Sequence, residues 1–268
     1  MRRPSWVPEG MDLDKPNAAR VYDYYLGGSH NFEVDREMAR KAIALWPELP
    51  QIMRSNRAFL RRAVTFLAER GVTRFVDVGS GIPTFSPVHE IARAIRPEAK
   101  VVYVDRDPVA VAHSRLLLEN DPDSDVVQAD LRDVVDLLAR PEVARLLAAG
   151  EPVAVLLVAV AHFVSDDEDP WKLIGMIRDA LPPGSALVLS HASLEERPDQ
   201  AEDHQELYRR TPTPLTMRTH EQITAMFSGF ELVEPGVVHL PLWRPDQPGT
   251  VGEHPERIAG VAGVGIRP

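Results

Sequence analysis

The sequence predicts an α/β protein, a doubly wound sheet with a helical segment ahead of it. Three observations carry this. From residue 74 onward, short apolar runs alternate with stretches of helical periodicity, the pattern of parallel strands joined by crossover helices. The first of those runs opens into a glycine turn followed by a helical stretch, Val76 to Thr84 (VDVGSGIPT). And 268 residues, 44% of them apolar, are enough to bury one large core.

Residues 1–11 read as a flexible arm: two arginines are followed by prolines and acids, not by the apolar stretch of a secretion signal, which points to the cytoplasm. Residues 12–71 read as a helical cap segment and 72–268 as the main domain. In the cap, one helix is expected over 18–26, started by Asp14 with Pro16 in its first turn and stopped by Gly27 and Gly28. A second spans 33–45 and is closed by Pro47. A third spans 49–70, with Phe59, Leu60, Ala63, Val64, Phe66 and Leu67 at helical spacing and Gly71 past its end. In the main domain, strands are expected at 75–78, 100–104, 125–128, 153–160 and 186–190, with helices near 89–95, 108–119, 131–149 and 170–181. The last third reads as a helix at 199–210, a break at 211–214 and a short helix capped by Thr219. Strands at 230–233, 237–240 and 261–266 then close a hairpin on the sheet edge around a proline-rich loop.

Composition removes several function classes. Without cysteine there is no disulfide scaffold, zinc ribbon, iron–sulfur cluster or thiol nucleophile. The most apolar run, 153–164, is twelve residues and falls short of a membrane span. The formal charge is −10, and it is uneven: residues 1–62 hold eleven Lys and Arg against eight Asp and Glu, a local +3 that leaves −13 for the rest. An acidic main domain argues against a duplex nucleic-acid partner, whose affinity comes largely from Lys and Arg on phosphates. A small-molecule substrate fits better, and the oligomeric state is not specified.

In an open α/β sheet the ligand sits beyond the carboxyl ends of the strands, where the strand order reverses. The glycine turn at 79–81 falls there, with Asp77 beside it. A dinucleotide fingerprint needs Gly or Ala at position 84, but Thr84 stands there after Pro83, so NAD loses ground. The second strand ends at Asp105, about where a ribose-binding acid belongs, and the third runs into Asp130 and Leu131. A lone strand-end acid most often caps the next helix. Three in succession after a glycine turn favour ligand binding.

The order D-x-G-x-G, VDRDP, AD-L and an apolar fourth strand resembles class I S-adenosylmethionine-dependent methyltransferases. The strings at 16–39 (PNAARVYDYYLGGSHNFEVDREMA), 55–64 (SNRAFLRRAV), 75–84 (FVDVGSGIPT) and 101–115 (VVYVDRDPVAVAHSR), with WRPD at 243–246, are similar more narrowly to an actinobacterial S-adenosyl methyltransferase family once known as a domain of unknown function. The likeness runs from about Asp12 to Gly265. It implies a Rossmann-like seven-stranded sheet with an N-terminal helical cap, S-adenosylmethionine as cofactor and S-adenosylhomocysteine as product. It further implies that Asp77, Gly79, Ser80 and Gly81 surround the methionine end of the cofactor. Asp105 and Arg106 would hold ribose and the adenine edge, Asp130 and Leu131 the adenine, and Ala159 to His162 the sulfonium. Pro83 departs from the frequent third glycine of the wider superfamily.

Asn56 and Arg57 belong to one of those strings, and an arginine there can take the cofactor's carboxylate bidentately; Arg54 and Arg62 read as a solvated basic face. Tyr22, Tyr24 and Tyr25 lie on a tyrosine-rich helix, and one of them, Tyr22 above all, can cover the adenosyl group. Methyl transfer needs alignment more than a base. Candidate bases are His162, His191 and, less directly placed, His30. The acids at 166–169 read as the start of the next helix, not a metal site. The expected function is methyl transfer to oxygen or nitrogen of a small molecule. The alternatives are a cofactor-binding regulatory module without catalysis and an NAD-dependent oxidoreductase.

Overall fold

A computed structural model describes residues 14–195, 197–209, 211–247, 249 and 251–268. The expected arm at 1–11, and Arg210 at the end of one expected helix, lie outside them.

Three helices come first: α1 (Ala18–Tyr25), α2 (Glu33–Leu45) and α3 (Leu49–Glu69). Asn17, not Asp14, caps α1, its side chain accepting from the Ala19 N–H at 2.8 Å. Asp35, three residues past the Phe32 cap of α2, accepts from Phe32 N–H at 2.9 Å and from Asn17 N–H at 3.0 Å, so one buried carboxylate ties the starts of both helices together. Arg20, equally buried, lies 3.5 Å from Asp35 and 3.9 Å from Asp107, which joins α1 to the main domain. The long helix α3 buries Phe59, Leu60, Ala63, Val64 and Leu67 at the spacing of one helical face. Arg62 is not the solvated residue expected: its guanidinium donates to Trp243 O at 2.8 Å and Leu240 O at 2.7 Å.

The rest is β1 (Arg74–Val78), α4 (Val88–Arg93), β2 (Lys100–Asp105), α5 (Pro108–Leu117), β3 (Ser124–Gln128), α6 (Val134–Ala139), α7 (Pro141–Ala148), β4 (Ala154–Val158), α8 (Pro170–Ala180), β5 (Ala186–Ala192), α9 (Pro198–Arg209), α10 (His220–Ala225), β6 (Glu231–Leu232), β7 (Val238–His239) and β8 (Gly260–Ile266). The single helix expected over 131–149 is two, because Pro141 cannot donate to the preceding turn and forces Arg140 into an extended conformation before α7 begins. The strand expected to reach residue 160 stops at Val158, where Ala159 turns away with φ +58°.

The sheet order is β3-β2-β1-β4-β5-β8-β6, with β7 also on β8. Strands β3, β2, β1, β4 and β5 are parallel, with β3 at one edge, and β8 runs antiparallel between β5 and the other edge. Eight strands replace the expected seven because the outer edge comes in two short pieces on β8, parted by a turn at Glu234 and Pro235. Residues alternate between the faces: Phe75, Val101, Tyr103, Leu156 and Val188 pack with α3, while Val76, Val102, Val155, Leu157 and Leu187 pack with α8 and Phe227. Between β1 and β4 the winding reverses, and a cleft opens at the carboxyl ends of the strands.

Candidate cofactor and acceptor site

The glycine turn after β1 is shaped by two demands. Gly79 has φ +73°, and a Cβ there would come within 2.3 Å of the Val160 side chain. Gly81 has φ +61° and donates its N–H to Asp105 Oδ2 at 2.7 Å. The N–H groups of Gly79 and Ser80 are spent on Val104 O, at 2.8 and 3.1 Å. The backbone N–H groups of this turn are thus committed within the protein, and Gly79 lets Val160 pack against the turn where it lines the cleft.

Asp105, at the end of β2, also accepts from Asp107 N–H at 2.8 Å, so each carboxylate oxygen holds one backbone donor and keeps a lone pair. Burial pushes its carboxyl up to about 6, against the two backbone donors. Asp77, on β1, is buried with no hydrogen-bond donor among the described residues, and burial raises it to about 7; the Arg57 guanidinium pulls it down and Asp105 pushes it up. Arg57 donates to Phe85 O and to Ser86 O at 2.9 Å, bracing the loop after the glycines, while its buried Nε has no partner among the described residues.

Asp130 stands at the rim, but sequence reasoning missed its partner. Arg132 donates to it from its backbone N–H at 3.0 Å and from its side chain, and Arg106 lies 3.6 Å away. Burial raises its carboxyl, yet these donors outweigh burial and hold it below its ordinary value. Asp130 thus reaches the cleft wall with its oxygens already engaged by Arg132 and with Arg106 beside it. Leu131 is buried against the same wall.

Asn56 and Tyr22 line the cleft and are joined by hydrogen bonds. Ser190 donates through Oγ to Asn56 Oδ1 at 2.6 Å, Asn56 Nδ2 donates to the Tyr22 hydroxyl at 2.9 Å, and that hydroxyl donates to Met53 O at 3.3 Å. Ser190 Oγ also accepts the N–H of Ala159 at 2.9 Å. One chain of hydrogen bonds thus links α1, α3 and β5 to the turn after β4. Asn56 positions that turn, and Tyr22 offers its ring to the cavity while its hydroxyl stays with the protein.

Of the histidines, His162 lies in a single turn of 3-10 helix after Ala159 and lines the cavity; burial, with His191 and Arg218 nearby, pushes it well below its ordinary value. His191 does not line the main cavity. Its Nδ1 sits 2.9 Å from Ala192 O and its Nε2 2.9 Å from the Arg218 guanidinium, so the ring is neutral, pushed down to about 3 chiefly by burial, and both nitrogens are occupied. This speaks against a base at His191. His30 packs edge-on against His113, away from the cavity. Arg218, which the sequence did not single out, is almost fully buried. It donates to Asp166 Oδ1 at 2.7 and 3.0 Å and to Val164 O at 2.7 Å, and stacks on Trp171, which pins the segment after β4. Asp169 caps α8 by accepting from Lys172 N–H at 3.0 Å, as the helix-start reading of the acidic run requires.

Together these walls enclose a cleft with about 190 Å³ open to the centres of water molecules. Asp77, Gly79, Ser80, Gly81, Asp105, Arg106, Asp130, Leu131, Ala159, His162, Tyr22, Asn56 and Arg57 all line it. Tyr25, Trp46, Phe163, His204 and Tyr208 line it as well, and the sequence singled out only Tyr25 among them. No group of acids and histidines fit to hold a metal ion exists among the described residues.

The cleft suits S-adenosylmethionine: it is lined by a buried acid with no hydrogen-bond donor and by an arginine whose buried Nε has no acceptor, both among the described residues, and a ribose-type acid lies one strand over. The fold is that of a class I S-adenosylmethionine-dependent methyltransferase; the antiparallel β8 parts the sheet from the all-parallel dinucleotide order. The chain belongs to the S-adenosyl methyltransferase family, whose model matches residues 4–268. It is 42% identical to a Thermobifida fusca protein proposed to be a methyltransferase, covering 98% of this chain and 99% of that one with a TM-score of 0.92. A DUF574 family protein of Streptomyces avermitilis is 37% identical, over 96% of this chain and 100% of that one, with a TM-score of 0.90. The fold extends to the N-methyltransferase NodS of Bradyrhizobium japonicum, solved with S-adenosylhomocysteine, at 12% identity over 93% and 99% of the two chains and a TM-score of 0.50. No curated protein is detectably similar to the chain. The enzyme is a methyltransferase, and the NAD alternative is set aside.

Proposed function

We propose that the enzyme methylates an oxygen or nitrogen of a small molecule, with the cofactor lying across the ends of β1, β2 and β4 and the acceptor beneath the N-terminal helices. The observation that carries this is the pair of buried carboxyls, Asp77 and Asp105, at the ends of adjacent strands around the glycine turn. When bound, S-adenosylmethionine supplies a methyl group already activated on a sulfonium.

The chain's own residues bind, orient and exclude water. Asp105 uses its spare lone pairs on the ribose hydroxyls, and Asp77 faces the ammonium. Arg57 takes the carboxylate through the nitrogen that is otherwise unpartnered. Gly79 and Gly81 leave room for the methionine chain, Leu131 gives adenine an apolar surface, and Arg106 closes the rim. Ala159, held by Ser190, sets the wall against which the sulfur rests. His162, kept neutral chiefly by burial, is placed to receive a proton from the acceptor. The helices α1, α2 and α3 roof the acceptor side. The absence of cysteine and the acidic main domain favour a cytoplasmic setting and a small-molecule partner over nucleic acid. Among the described residues no helix is long and apolar enough to cross a membrane.

Calorimetry with S-adenosylhomocysteine tests the assignment. Asp105→Ala should weaken binding by ~1–3 kcal/mol, the usual penalty for leaving a buried polar group unpaired. An unchanged dissociation constant contradicts it.

A further inference from the structure

The cleft has two walls of different chemistry. Its charged side chains belong to α1, α3 and the ends of β1 to β3 together with the segment that follows β3. The opposite wall comes from the end of α2, residues 162–164, α9 and the stretch 213–217, and it carries no Lys, Arg, Asp or Glu. Its two histidines are neutral, since burial drives His204 down to about 4 and His162 well below its ordinary value.

This wall is made of rings. His204 and Tyr208, one turn apart on α9, have ring centroids 4.9 Å apart, and Trp46 meets His204 edge-on at 5.9 Å. The Tyr208 hydroxyl is 3.3 Å from that of Tyr25 on α1, and Phe163 packs edge-on against His162 at 4.4 Å. The buried Trp46 Nε1, His204 Nδ1 and His162 Nδ1 have no hydrogen-bond partner among the described residues. A charged ligand group on this side would lose its water and meet no charged side chain on the cavity surface, since the buried Arg218 behind residues 162–164 is already paired with Asp166, and no neutral group bears that cost. A flat ring, in contrast, finds edges and faces already spaced for ring packing.

We propose that this chamber selects an uncharged, flat aromatic molecule whose hydroxyl or amine receives the methyl group. The inference rests on the methyl-transfer reading above. In the step itself, a lone pair on the acceptor oxygen or nitrogen forms the bond to the methyl carbon. The carbon–sulfur bond breaks with its electron pair going to sulfur, and the acceptor's proton leaves to water or to His162.

The test uses the full chain, with and without S-adenosylhomocysteine, and three probes followed by calorimetry near pH 7: 2-naphthol, 6-hydroxy-2-naphthoate and the saturated decahydro-2-naphthol. The aromatic, uncharged probe should bind at least tenfold tighter than the other two. Leu215→Trp, which fills the chamber from 213–217, should abolish naphthol binding and leave binding of S-adenosylhomocysteine unchanged. Equal or tighter binding of the carboxylate or of the saturated ring overturns the proposal, as does naphthol binding that persists in a Leu215→Trp protein still able to bind S-adenosylhomocysteine. If the variant does not fold, the comparison of probes on the unaltered protein decides. Failure of S-adenosylhomocysteine to bind at all would instead strike the cofactor reading, while the order of the three probes still judges the chamber.

Discussion

Asp77 is held in a conflict. Among the described residues its buried carboxyl has no hydrogen-bond donor, and only Arg57 favours its charge. Because its folded value, about 7, lies above the ordinary one, the folded state holds a proton between pH 4 and 7 that the unfolded chain has released, so this residue's contribution to stability is lost as pH rises through 7. A ligand ammonium reverses the preference by stabilising the carboxylate. S-adenosylhomocysteine affinity should therefore climb as pH rises from 5.5 to 7.5, with protons released on binding, as calorimetry in buffers of different ionisation enthalpy will report. Asp77→Asn should flatten that rise and stabilise the ligand-free protein at pH 8 by at least ~1 kcal/mol, the trade expected where a binding site is strained. Proton uptake on binding would contradict this role. Position in the strand pattern made Asp77, Asp105 and Asp130 readable from sequence. Their environments were not: Arg132 next to Asp130, and the backbone donors on Asp105, depend on which way a loop turns once folded.

The element that matters most for geometry is the turn after β4. Ala159 is a non-glycine residue at φ +58°, and it is fixed by a hydrogen bond from its N–H to Ser190 Oγ, itself held by Asn56 on α3. Removing either side chain leaves buried polar groups unpaired, so Ser190→Ala and Asn56→Ala should each lower stability by ~1–3 kcal/mol. The double variant should lose clearly less than the sum, since both act on one chain of bonds. Chemical denaturation measures this; additive losses would mean the two residues work separately. Periodicity was enough to place α2, α3 and the central strands within a residue or two. It failed where local chemistry competes with it: Pro141 cut one apolar helical run in two, and the cap of α1 fell to Asn17. The aromatic wall was hidden for a different reason. Trp46, His162, His204 and Tyr208 are far apart in the chain and meet only through packing of α2 and α9.

At the scale of the molecule, the uneven charge acquires a location. The slightly basic first 62 residues contribute Arg57 to the site and Arg20 and Arg62 to the joints between helices and main domain, and the acidic remainder contributes the strand-end carboxyls. Because α3 packs directly on the sheet through Phe59, Leu60 and Val64, the N-terminal segment is as much a layer of the fold as a cover over it. The cleft thus lies between two layers, with a charged wall for a zwitterionic cofactor and an uncharged ring-lined wall for the acceptor. The most direct test is a crystal structure with S-adenosylhomocysteine bound. The account predicts ribose hydroxyls within hydrogen-bond reach of Asp105, the amino-acid end between Asp77 and Arg57, and the sulfur beside Ala159 facing the wall of Trp46, His204 and Tyr208. A ribose placed away from Asp105, or a sulfur facing away from that wall, would contradict it.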